Sequence, residues 1–310
     1  MQSKISLSKK YIASPLNYTG GKLKLLPQIL PLFPQKIETF VDLFCGGCNV
    51  GVNVNAEKIF CNDSNEKLIE FFNYLKNTDY KAFFRQISKV IEEFHLSNTA
   101  ENGYSFYGCN SSAGLSSYNR EHFLALRENF NSLQTKNSYY FAKFYILIVY
   151  AFNNQIRFNS KGFYNLPVGK RDFNKRMSEK LETFMSSIAN IEFTSKDFRE
   201  FKTEILTQND FVYADPPYLI TCASYNELDG WNENNEIDLL KMLEKLNERK
   251  LRFALSNVLS AKGKVNNILD SWLNKNPEYK CYHLNFDYKN SNYHKTERIN
   301  KADEVLITNY

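Results

Sequence analysis

Glycine is scarce in this sequence, with 12 residues in a chain of 310, whereas Phe and Tyr account for 25 and 20 residues. Hydrophobic residues make up 43% and charged residues 24%, a balance that excludes wholesale disorder. Because glycines are so few, those that occur in pairs are informative. Two pairs stand out, Gly20-Gly21 and Gly46-Gly47.

The sequence also lacks a long hydrophobic run. The longest, at 144–152, is far shorter than the roughly 20 residues that a membrane-spanning helix needs. Residues 1–10 are polar and do not contain the apolar core of a signal peptide. We therefore predict no membrane segment and a cytoplasmic location.

Cysteine is present, but it is not arranged as a disulfide framework. The six cysteines are scattered along the chain, so we predict that they are reduced. The C-x-x-C motif at Cys45 and Cys48 has no second pair nearby, and neither zinc nor another metal is predicted. The remaining cysteines are Cys61, Cys109, Cys222 and Cys281.

The charge is not strongly of one sign, because 39 basic residues face 34 acidic ones and the net charge is only +5. Its distribution is uneven. Residues 1–36 contain six lysines and no acidic residue, and residues 143–180 contain eight basic residues and two acidic ones. These segments fit either a surface that binds a polyanion or ordinary solvated faces, and charge alone does not separate the two.

Hydrophobic patterning predicts an alternation of strands and helices, which is typical of an α/β fold with a parallel sheet. A polar loop is predicted at 95–119, and the mostly helical stretch 77–173 is predicted to be an insertion between 1–76 and 174–310. The predicted strands are 39–44, 58–61, 191–194, 210–214, 252–256, 282–286 and 304–309. The predicted helices are 22–32, 65–75, 80–94, 120–133, 139–153, 174–189, 234–250 and 262–273.

A strand that runs into a glycine turn suggests a nucleotide-like ligand. The turn at 44–47 follows the apolar strand at 39–44, and in α/β sheets ligands approach the backbone at this kind of strand end. Asp63 ends the next strand, where a carboxylate can accept hydrogen bonds from ribose hydroxyls. The alternative for Asp63 is a helix N-cap, and the two roles are compatible.

The strongest motif follows the apolar strand at 210–214 and reads D-P-P-Y. Two prolines remove two backbone donors and stiffen the turn, so the flanking side chains lie at the ligand-binding edge of the sheet. A planar base could be clamped there, since the carboxylate accepts from an exocyclic amine and the tyrosine ring stacks. The motif consists of Asp215, Pro216, Pro217 and Tyr218.

Taken in order, these motifs make the chain resemble a DNA adenine-N6 methyltransferase of the Dam-like, or D12, class. The matching pieces include N-Y-T-G-G-K at 17–22, D-L-F-C-G-G at 42–47, C-N-D at 61–63, D-P-P-Y at 215–218 and L-S-N at 255–257. Further matches are R-F-N at 157–159, F-Y-N-L-P-V-G at 163–169 and the ending E-V-L-I-T-N-Y. The resemblance implies an α/β, Rossmann-like methyltransferase fold, a mixed sheet flanked by helices with an inserted target-recognition domain.

The resemblance also implies S-adenosylmethionine as the methyl donor. Asp215 then lies between donor and target, Asp63 holds the ribose, and Asp197 contacts the donor's adenine. The other residues implied at the donor site are Tyr18, Gly20, Gly21, Lys22, Asp42, Phe44, Gly46 and Gly47. One position departs from the family pattern, because Cys48 replaces the last glycine of the turn. If this position requires a positive φ, cysteine costs about 1 kcal/mol.

The insertion is interpreted as the module that reads double-stranded DNA. It concentrates Arg, Asn and Gln, the side chains that recognise base edges, together with basic residues that contact phosphates. By the resemblance, Arg157 is the first choice for a base contact. The helical stretch 139–152 is interpreted as core. The predicted DNA-binding residues are Asn153, Asn154, Gln155, Arg157, Asn159, Lys161, Lys170 and Arg171.

The leading hypothesis is an enzyme that methylates adenine N6 in a short duplex DNA site after flipping the base. The first alternative is amino methylation of another substrate, which could be cytosine N4, RNA adenine or protein glutamine. The second is a DNA-binding module with an inactive methyltransferase fold. An aspartate that opens the D-P-P-Y motif and a basic insertion favour adenine in DNA. A separately encoded restriction endonuclease is a possible partner that the sequence does not reveal.

Overall fold

A computed structural model describes residues 11–221, 230–285 and 302–310 of the chain. Within these ranges eight strands form one sheet in the order β3-β2-β1-β4-β5-β8-β7, with β6 paired to β5. The strands are β1 (Thr39–Asp42), β2 (Lys58–Asn62), β3 (Ile191–Thr194), β4 (Phe211–Ala214), β5 (Arg252–Ala261), β6 (Lys264–Val265), β7 (Lys280–Leu284) and β8 (Asp303–Thr308).

The sheet is mixed. Strands β1 to β5 are parallel, whereas β8 runs antiparallel to both β5 and β7. The carboxyl ends of the five parallel strands therefore share one edge, and the antiparallel β8 begins at that same edge. This arrangement confirms the predicted α/β class and shows that the sheet is not purely parallel.

The helices begin where short polar side chains cap them. Asn65, Asp79, Asn137, Asn174 and Asn232 each accept a hydrogen bond from a backbone N–H of the first turn. The helices are α1 (Leu26–Ile29), α2 (Glu66–Lys76), α3 (Tyr80–Glu93), α4 (Thr99–Asn102), α5 (Ser116–Ser132), α6 (Ser138–Tyr150), α7 (Lys175–Ser187), α8 (Glu233–Glu248) and α9 (Asn267–Lys275).

Alternate strand residues face opposite layers, as the pleat of a sheet requires. Val41 and Val212 pack against α8 and α9, whereas Phe40 and Phe211 pack against the segment that carries α1. Helices α3, α5 and α6 from the predicted insertion share one core with α2, α7 and β3. Helix α6 is buried from Tyr140 to Tyr150, in agreement with its interpretation as core.

Two predicted helices are wrong, because neither range forms one continuous helix. The stretch 22–32 is broken into two 3-10 turns and the four-residue α1, because Pro27 and Pro31 cannot donate the hydrogen bonds that one continuous helix needs. The stretch 262–273 begins with β6, which pairs back onto an extended β5, and α9 starts only at Asn267.

Other boundaries differ by a few residues, and some predictions lie outside the described residues. The predicted loop at 95–119 holds α4 and a 3-10 turn, and α5 begins at Ser116. Residues 1–10, Cys222 and Phe286 are not among the described residues. In the described ranges, no helix has both the length and the hydrophobicity to cross a bilayer.

Candidate active site

A cleft of about 1320 Å³ opens at the edge where the parallel strands end. Every residue that the sequence nominated for the donor or for catalysis lines it. Arg157 also lines it, as do its neighbours Ile156, Phe158 and Asn165 from the predicted insertion. Typical sites for one small molecule occupy ~300–1,000 Å³, so this cleft has room for two adjacent ligand groups.

The D-P-P-Y motif holds a buried ion pair. Asp215 directly follows β4, and its Oδ2 lies 2.8 Å from Lys22 Nζ, with the two side chains 16% and 4% exposed. Tyr218 donates its hydroxyl to Asp215 Oδ1 at 2.9 Å. Burial raises the pKa of the Asp215 carboxyl, and the positive charge of Lys22 opposes that rise. The carboxylate is thus fixed from both sides.

Lys22 is positioned by its own turn. Its ammonium group donates to the Gly20 carbonyl at 2.9 Å and lies 4.9 Å above the centre of the Tyr218 ring. Gly20 has φ 77°, a left-handed conformation that suits glycine, so the turn curls back beneath the lysine. The first glycine pair therefore serves to aim Lys22 at Asp215.

Glu304 belongs to this cluster and was missed by sequence reasoning. It is 2% exposed, and its Oε1 lies 3.1 Å from the Tyr218 hydroxyl and 3.5 Å from Lys22 Nζ. It stands near the start of β8, which begins at the edge where β4 and β5 end because β8 is antiparallel. The signal available in the sequence was the position of Glu304, an acidic residue near the start of an apolar strand.

The second glycine pair packs against Tyr18. Gly46 has φ 45°, and a Cβ there would lie 2.8 Å from the Tyr18 ring, so no other residue fits without displacement. The Gly46 N–H donates to Asp63 Oδ2 at 2.9 Å, and the Asn65 N–H donates to Asp63 Oδ1 at 2.9 Å. A carboxylate can accept about four hydrogen bonds, so Asp63 retains capacity for a ligand.

Asp42 is a buried acid with an unsatisfied oxygen. It is 1% exposed, and its Oδ1 has no hydrogen-bond partner among the described residues. Burial, followed by the nearby negative charge of Asp215, raises the pKa of the Asp42 carboxyl well above its usual range. Because buried polar atoms are nearly always paired, this oxygen of a residue that lines the cleft has capacity for a hydrogen bond with a ligand.

An aromatic group forms the wall of the cleft beside Asp197. The rings of Phe44, Phe198 and Trp231 contact one another at centre distances of 5.4–5.7 Å. Trp231 was not identified from the sequence. Its indole N–H donates to the fully buried Glu236, which also accepts hydrogen bonds from the side chains of Asn257 and Asn266.

Asp197 itself is less available than the sequence suggested. Its carboxylate forms an ion pair with Arg199 at 3.1 Å, and Arg199 also pairs with Asp238 at 2.9 Å. These groups are 39–46% exposed, so the pair is a weak surface interaction that an incoming ligand can rearrange.

Cys48 adopts φ 58°, so the position does require a positive φ, as the glycine pattern implied. Its Sγ is buried 3.7 Å from Cys61 Sγ, and Gly51 packs against both thiols. The strain is therefore accommodated inside a packed turn. No cluster of three or more His, Cys, Asp or Glu suitable for a metal occurs in the described ranges.

The facing side of the cleft is a hairpin from the predicted insertion. Phe158 and Tyr164 pair as an antiparallel bridge, and Arg157 donates through Nε to Asn165 Oδ1 at 2.8 Å. Tyr164 is buried and is held at its backbone by Asn131, whose side chain both donates and accepts. The hairpin is thus anchored from below while Arg157 is exposed at the cleft.

The other predicted DNA-binding residues lie outside the cleft. Asn153 and Asn154 both have positive φ, and Asn154 donates to the carbonyl of Val149, so its amide supports the turn. Asn159 Oδ1 accepts from the backbone of Lys161 and Phe163 and shapes the hairpin tip. Exposed side chains are those of Asn153, Arg157, Asn159, Lys161, Lys170 and Arg171, and Gln155 is half-buried.

Comparison with known proteins identifies the class that this fold and site define. Residues 18–285 match the D12 class of N6 adenine-specific DNA methyltransferases, and the chain belongs to that family. This class uses S-adenosylmethionine as its methyl donor. The unpaired Asp42 oxygen, the spare acceptor capacity of Asp63 and the aromatic wall at Trp231 fit such a ligand.

Three relatives are named as a type II methyltransferase or as modification methylases. The chain is 43% identical over 311 residues to the type II methyltransferase M.FokI of Planomicrobium okeanokoites, and 39% identical over 318 residues to the modification methylase StsI of Streptococcus sanguinis. It is 30% identical over 302 residues to the modification methylase LlaI of Lactococcus lactis subsp. lactis. These matches cover 96–99% of this chain but only 43–44% of each relative.

Proposed function

We propose that the chain transfers a methyl group from S-adenosylmethionine to the N6 amino group of adenine in a short site of double-stranded DNA. The observation that carries this proposal is the shared cleft. The Asp215–Tyr218 motif and the glycine turns form one side of it, and the hairpin with Arg157 forms the other. A donor and an extruded base can meet there.

The donor half of the cleft is assigned by its acceptors and its aromatic wall. Asp63 accepts from the ribose hydroxyls, and the unpaired oxygen of Asp42 accepts from a further donor group of the ligand. Phe44 and Trp231 cover the adenine ring. When bound, S-adenosylmethionine supplies an electrophilic methyl group on a sulfonium.

The D-P-P-Y motif orients the target amine. The N6 lone pair of adenine is delocalised into the ring, so the amine is a poor nucleophile. Hydrogen bonds from N6 to the Asp215 carboxylate and the Pro216 carbonyl localise the lone pair and direct it at the methyl group. Positioning of this kind lowers the barrier without a metal.

The target base must leave the duplex to reach Asp215. Extrusion costs a few kcal/mol, and stacking on Tyr218 returns roughly 1–3 kcal/mol. Arg157 is placed to contact a base edge beside the extruded nucleotide, whereas Lys170 and Arg171 contact phosphates. The assignment of 77–173 as the target-recognition domain and of 1–76 with 174–310 as the catalytic domain is part of this proposal.

The biological setting follows from the named relatives. StsI and LlaI are named modification methylases and M.FokI is named a type II methyltransferase, so we infer that this chain acts in a restriction–modification system. A cognate restriction endonuclease is then its functional partner, and both act on DNA in the cytoplasm.

Transfer of labelled methyl from donor to duplex DNA tests the proposal. The expected product is N6-methyladenine, and Asp215→Ala lowers kcat by about 10²–10³, the range for loss of one preorganised polar group. Asp270→Asn, an exposed change on α9, is the matched control and leaves transfer unchanged.

Two results would contradict the proposed reaction, and a third would contradict the role given to Asp215. Binding of DNA without any transfer indicates an inactive DNA-binding module. Label on cytosine N4, on RNA or on protein glutamine indicates a different amino substrate. Full activity of Asp215→Ala removes the catalytic assignment of this residue while leaving the enzyme class intact.

A further inference from the structure

The Tyr218 hydroxyl is shared between two buried carboxylates. It lies 2.9 Å from Asp215 Oδ1 and 3.1 Å from Glu304 Oε1. A phenol has one hydrogen, so it can donate to only one of these acceptors at a time. Burial and the negative charge of Asp215 raise the pKa of Tyr218 well above its usual value, so the hydroxyl keeps this hydrogen.

Each carboxylate oxygen of Asp215 already has a partner before any substrate arrives. Lys22 occupies its Oδ2 at 2.8 Å, and the Tyr218 hydroxyl occupies its Oδ1 at 2.9 Å. An incoming amino group would share Oδ1 with a hydroxyl of the same motif, and because two donors to one oxygen are each bound more weakly than one alone, they compete for it. The competition ends if the hydroxyl has another acceptor within reach.

Glu304 is placed to be that acceptor. Its carboxylate is 2% exposed and is held at the sheet edge by β8, which pairs with β5 at Val258 and with β7 at Leu284. Rotation of the Tyr218 C–O bond is enough to move the hydrogen from Asp215 to Glu304, and the ring need not move. Lys22, 3.5 Å from Glu304 Oε1, offsets part of its charge.

We propose that Glu304 is a positioning residue for methyl transfer: it accepts the Tyr218 hydroxyl when Asp215 turns its oxygen to the amine of the target base. This inference rests on the proposed function. It gives Tyr218 two hydrogen-bonded states, one in the free protein and one with the base in place, and Glu304 stabilises the second.

The test is a double-mutant cycle between Glu304 and Tyr218. Glu304→Met removes the acceptor with similar volume and lowers kcat about tenfold or more, the scale of a hydrogen bond to a charged group. In a Tyr218→Phe background, with kcat measured well above the pKa of Asp215, the same change has no further effect, because the hydroxyl is already gone. Asp303→Asn, the neighbouring acid paired with His283, is the matched control and is expected to behave as wild type.

Glu304→Gln keeps a carbonyl acceptor but removes the charge, so it restores most of the lost kcat. The charge of Glu304 contributes to the raised pKa of Asp215. Its removal lowers that pKa, and the acid limb of the kcat profile moves to lower pH. This second readout does not depend on how well the methionine variant folds, and thermal unfolding of each variant is measured alongside.

The outcomes distinguish a failure of this inference from a failure of the proposed function. If the wild-type chain transfers no methyl group, the proposed function fails. If the wild type is active and Glu304→Met matches it, Glu304 has no positioning role. If Glu304→Met costs as much in the Tyr218→Phe background as in the wild type, the effect does not pass through Tyr218 and the inference is overturned.

Discussion

The two sides of the cleft are built in opposite ways. On the sheet edge, the buried Lys22 pairs with Asp215 at 2.8 Å and with the buried Glu304 at 3.5 Å. On the hairpin side, Arg157 and Lys161 are exposed, and the backbone beneath them is held by the buried Tyr164. The sheet edge holds its charged side chains in a single arrangement, whereas the hairpin presents exposed side chains on an anchored backbone.

Under the proposed function, this difference separates the residues that direct methyl transfer from the residues that recognise the DNA sequence. A buried network of charges is costly to alter, because removal of one partner leaves another charge uncompensated. An exposed side chain on an anchored hairpin can change without disturbing its support, since Asn131 and Tyr164 hold the backbone. Such a protein can acquire a new target sequence while its methyl-transfer geometry stays constant.

The largest effect is expected for Lys22→Met, which breaks the buried pair. Loss of one partner of a buried ion pair costs about 3–5 kcal/mol in the free energy of unfolding. Because Lys22 lowers the pKa of Asp215, its loss raises that pKa. Asp215 must be ionised to accept from the amine, so activity in the remaining folded protein disappears at a higher pH than in the wild type.

Urea unfolding and the pH profile of kcat measure both parts of this prediction. Lys136→Met, which removes an exposed pair with Glu70, is the control and is expected to change stability by less than about 1 kcal/mol. Equal destabilisation by the two variants would remove the contrast between buried and exposed charge.

Arg157→Ala is expected to leave stability unchanged and to relax sequence recognition. Loss of a bidentate base contact costs ~1–3 kcal/mol of discrimination at one position of the site. Lys161→Ala, at the tip of the same hairpin, should instead weaken binding to all DNA sequences. The slope of log affinity against log salt concentration should become shallower by about 1. Mapping of methylated adenines, with binding measured over a range of salt, distinguishes the two.

Two results with Arg157→Ala would contradict this contrast between the two sides of the cleft. If Arg157→Ala unfolds the chain as readily as Lys22→Met, the hairpin is not an independent support for recognition. A uniform loss of affinity in Arg157→Ala, without relaxed specificity, would place this residue on a phosphate.

The aromatic wall predicts a fluorescence signal for the donor. The chain contains two tryptophans, and Trp231 lies in the cleft whereas Trp272 lies on α9. In Trp272→Phe, binding of the donor product S-adenosylhomocysteine should change the remaining emission. Glu236→Gln weakens the support of Trp231 and should reduce affinity about threefold to tenfold, the scale of one hydrogen bond.

The complementary variant supplies the control for this measurement. Trp231→Phe, which retains Trp272, should show no emission change on adding the same ligand. A response from Trp272 in that variant would mean that the ligand binds elsewhere or reshapes α9.

The smallest effect concerns the glycine turn. Glycine is ordinarily less stable than alanine, but at φ 58° an L side chain costs about 1–2 kcal/mol. Cys48→Gly should therefore be more stable than Cys48→Ala by about 1 kcal/mol, although both lose the contact with Cys61. The denaturant midpoints of the two variants show which of them is more stable. A more stable alanine variant would refute backbone strain at position 48.

Much of the donor side was predictable because its motifs are local. A strand followed by a glycine turn, or by two prolines, fixes the backbone within a few residues, so Gly46 and Asp215 could be placed from the sequence. The prediction of secondary structure was wrong at 22–32 because the effect of Pro27 and Pro31 on the helix was misjudged. It was wrong at 262–273 because β6 pairs with β5, which the local sequence does not reveal.

Glu304 and Trp231 could not be found in the same way. Each reaches the cleft through tertiary structure, Glu304 because β8 is antiparallel to its neighbour and Trp231 because its ring packs against Phe44 and Phe198. On the hairpin, composition indicated residues that read DNA, but it did not show that Asn154 and Asn159 use their amides to shape the backbone.

The position of Glu304 also has a consequence for how the protein is made. Lys22 comes early in the chain, and Glu304 lies in the last strand of the sheet. A ribosome must deliver β8 before the two groups can meet, and the long loop between them closes only then. A nascent chain without β8 therefore lacks part of the site, so under the proposed function methylation begins only after the whole sheet has been synthesised and assembled.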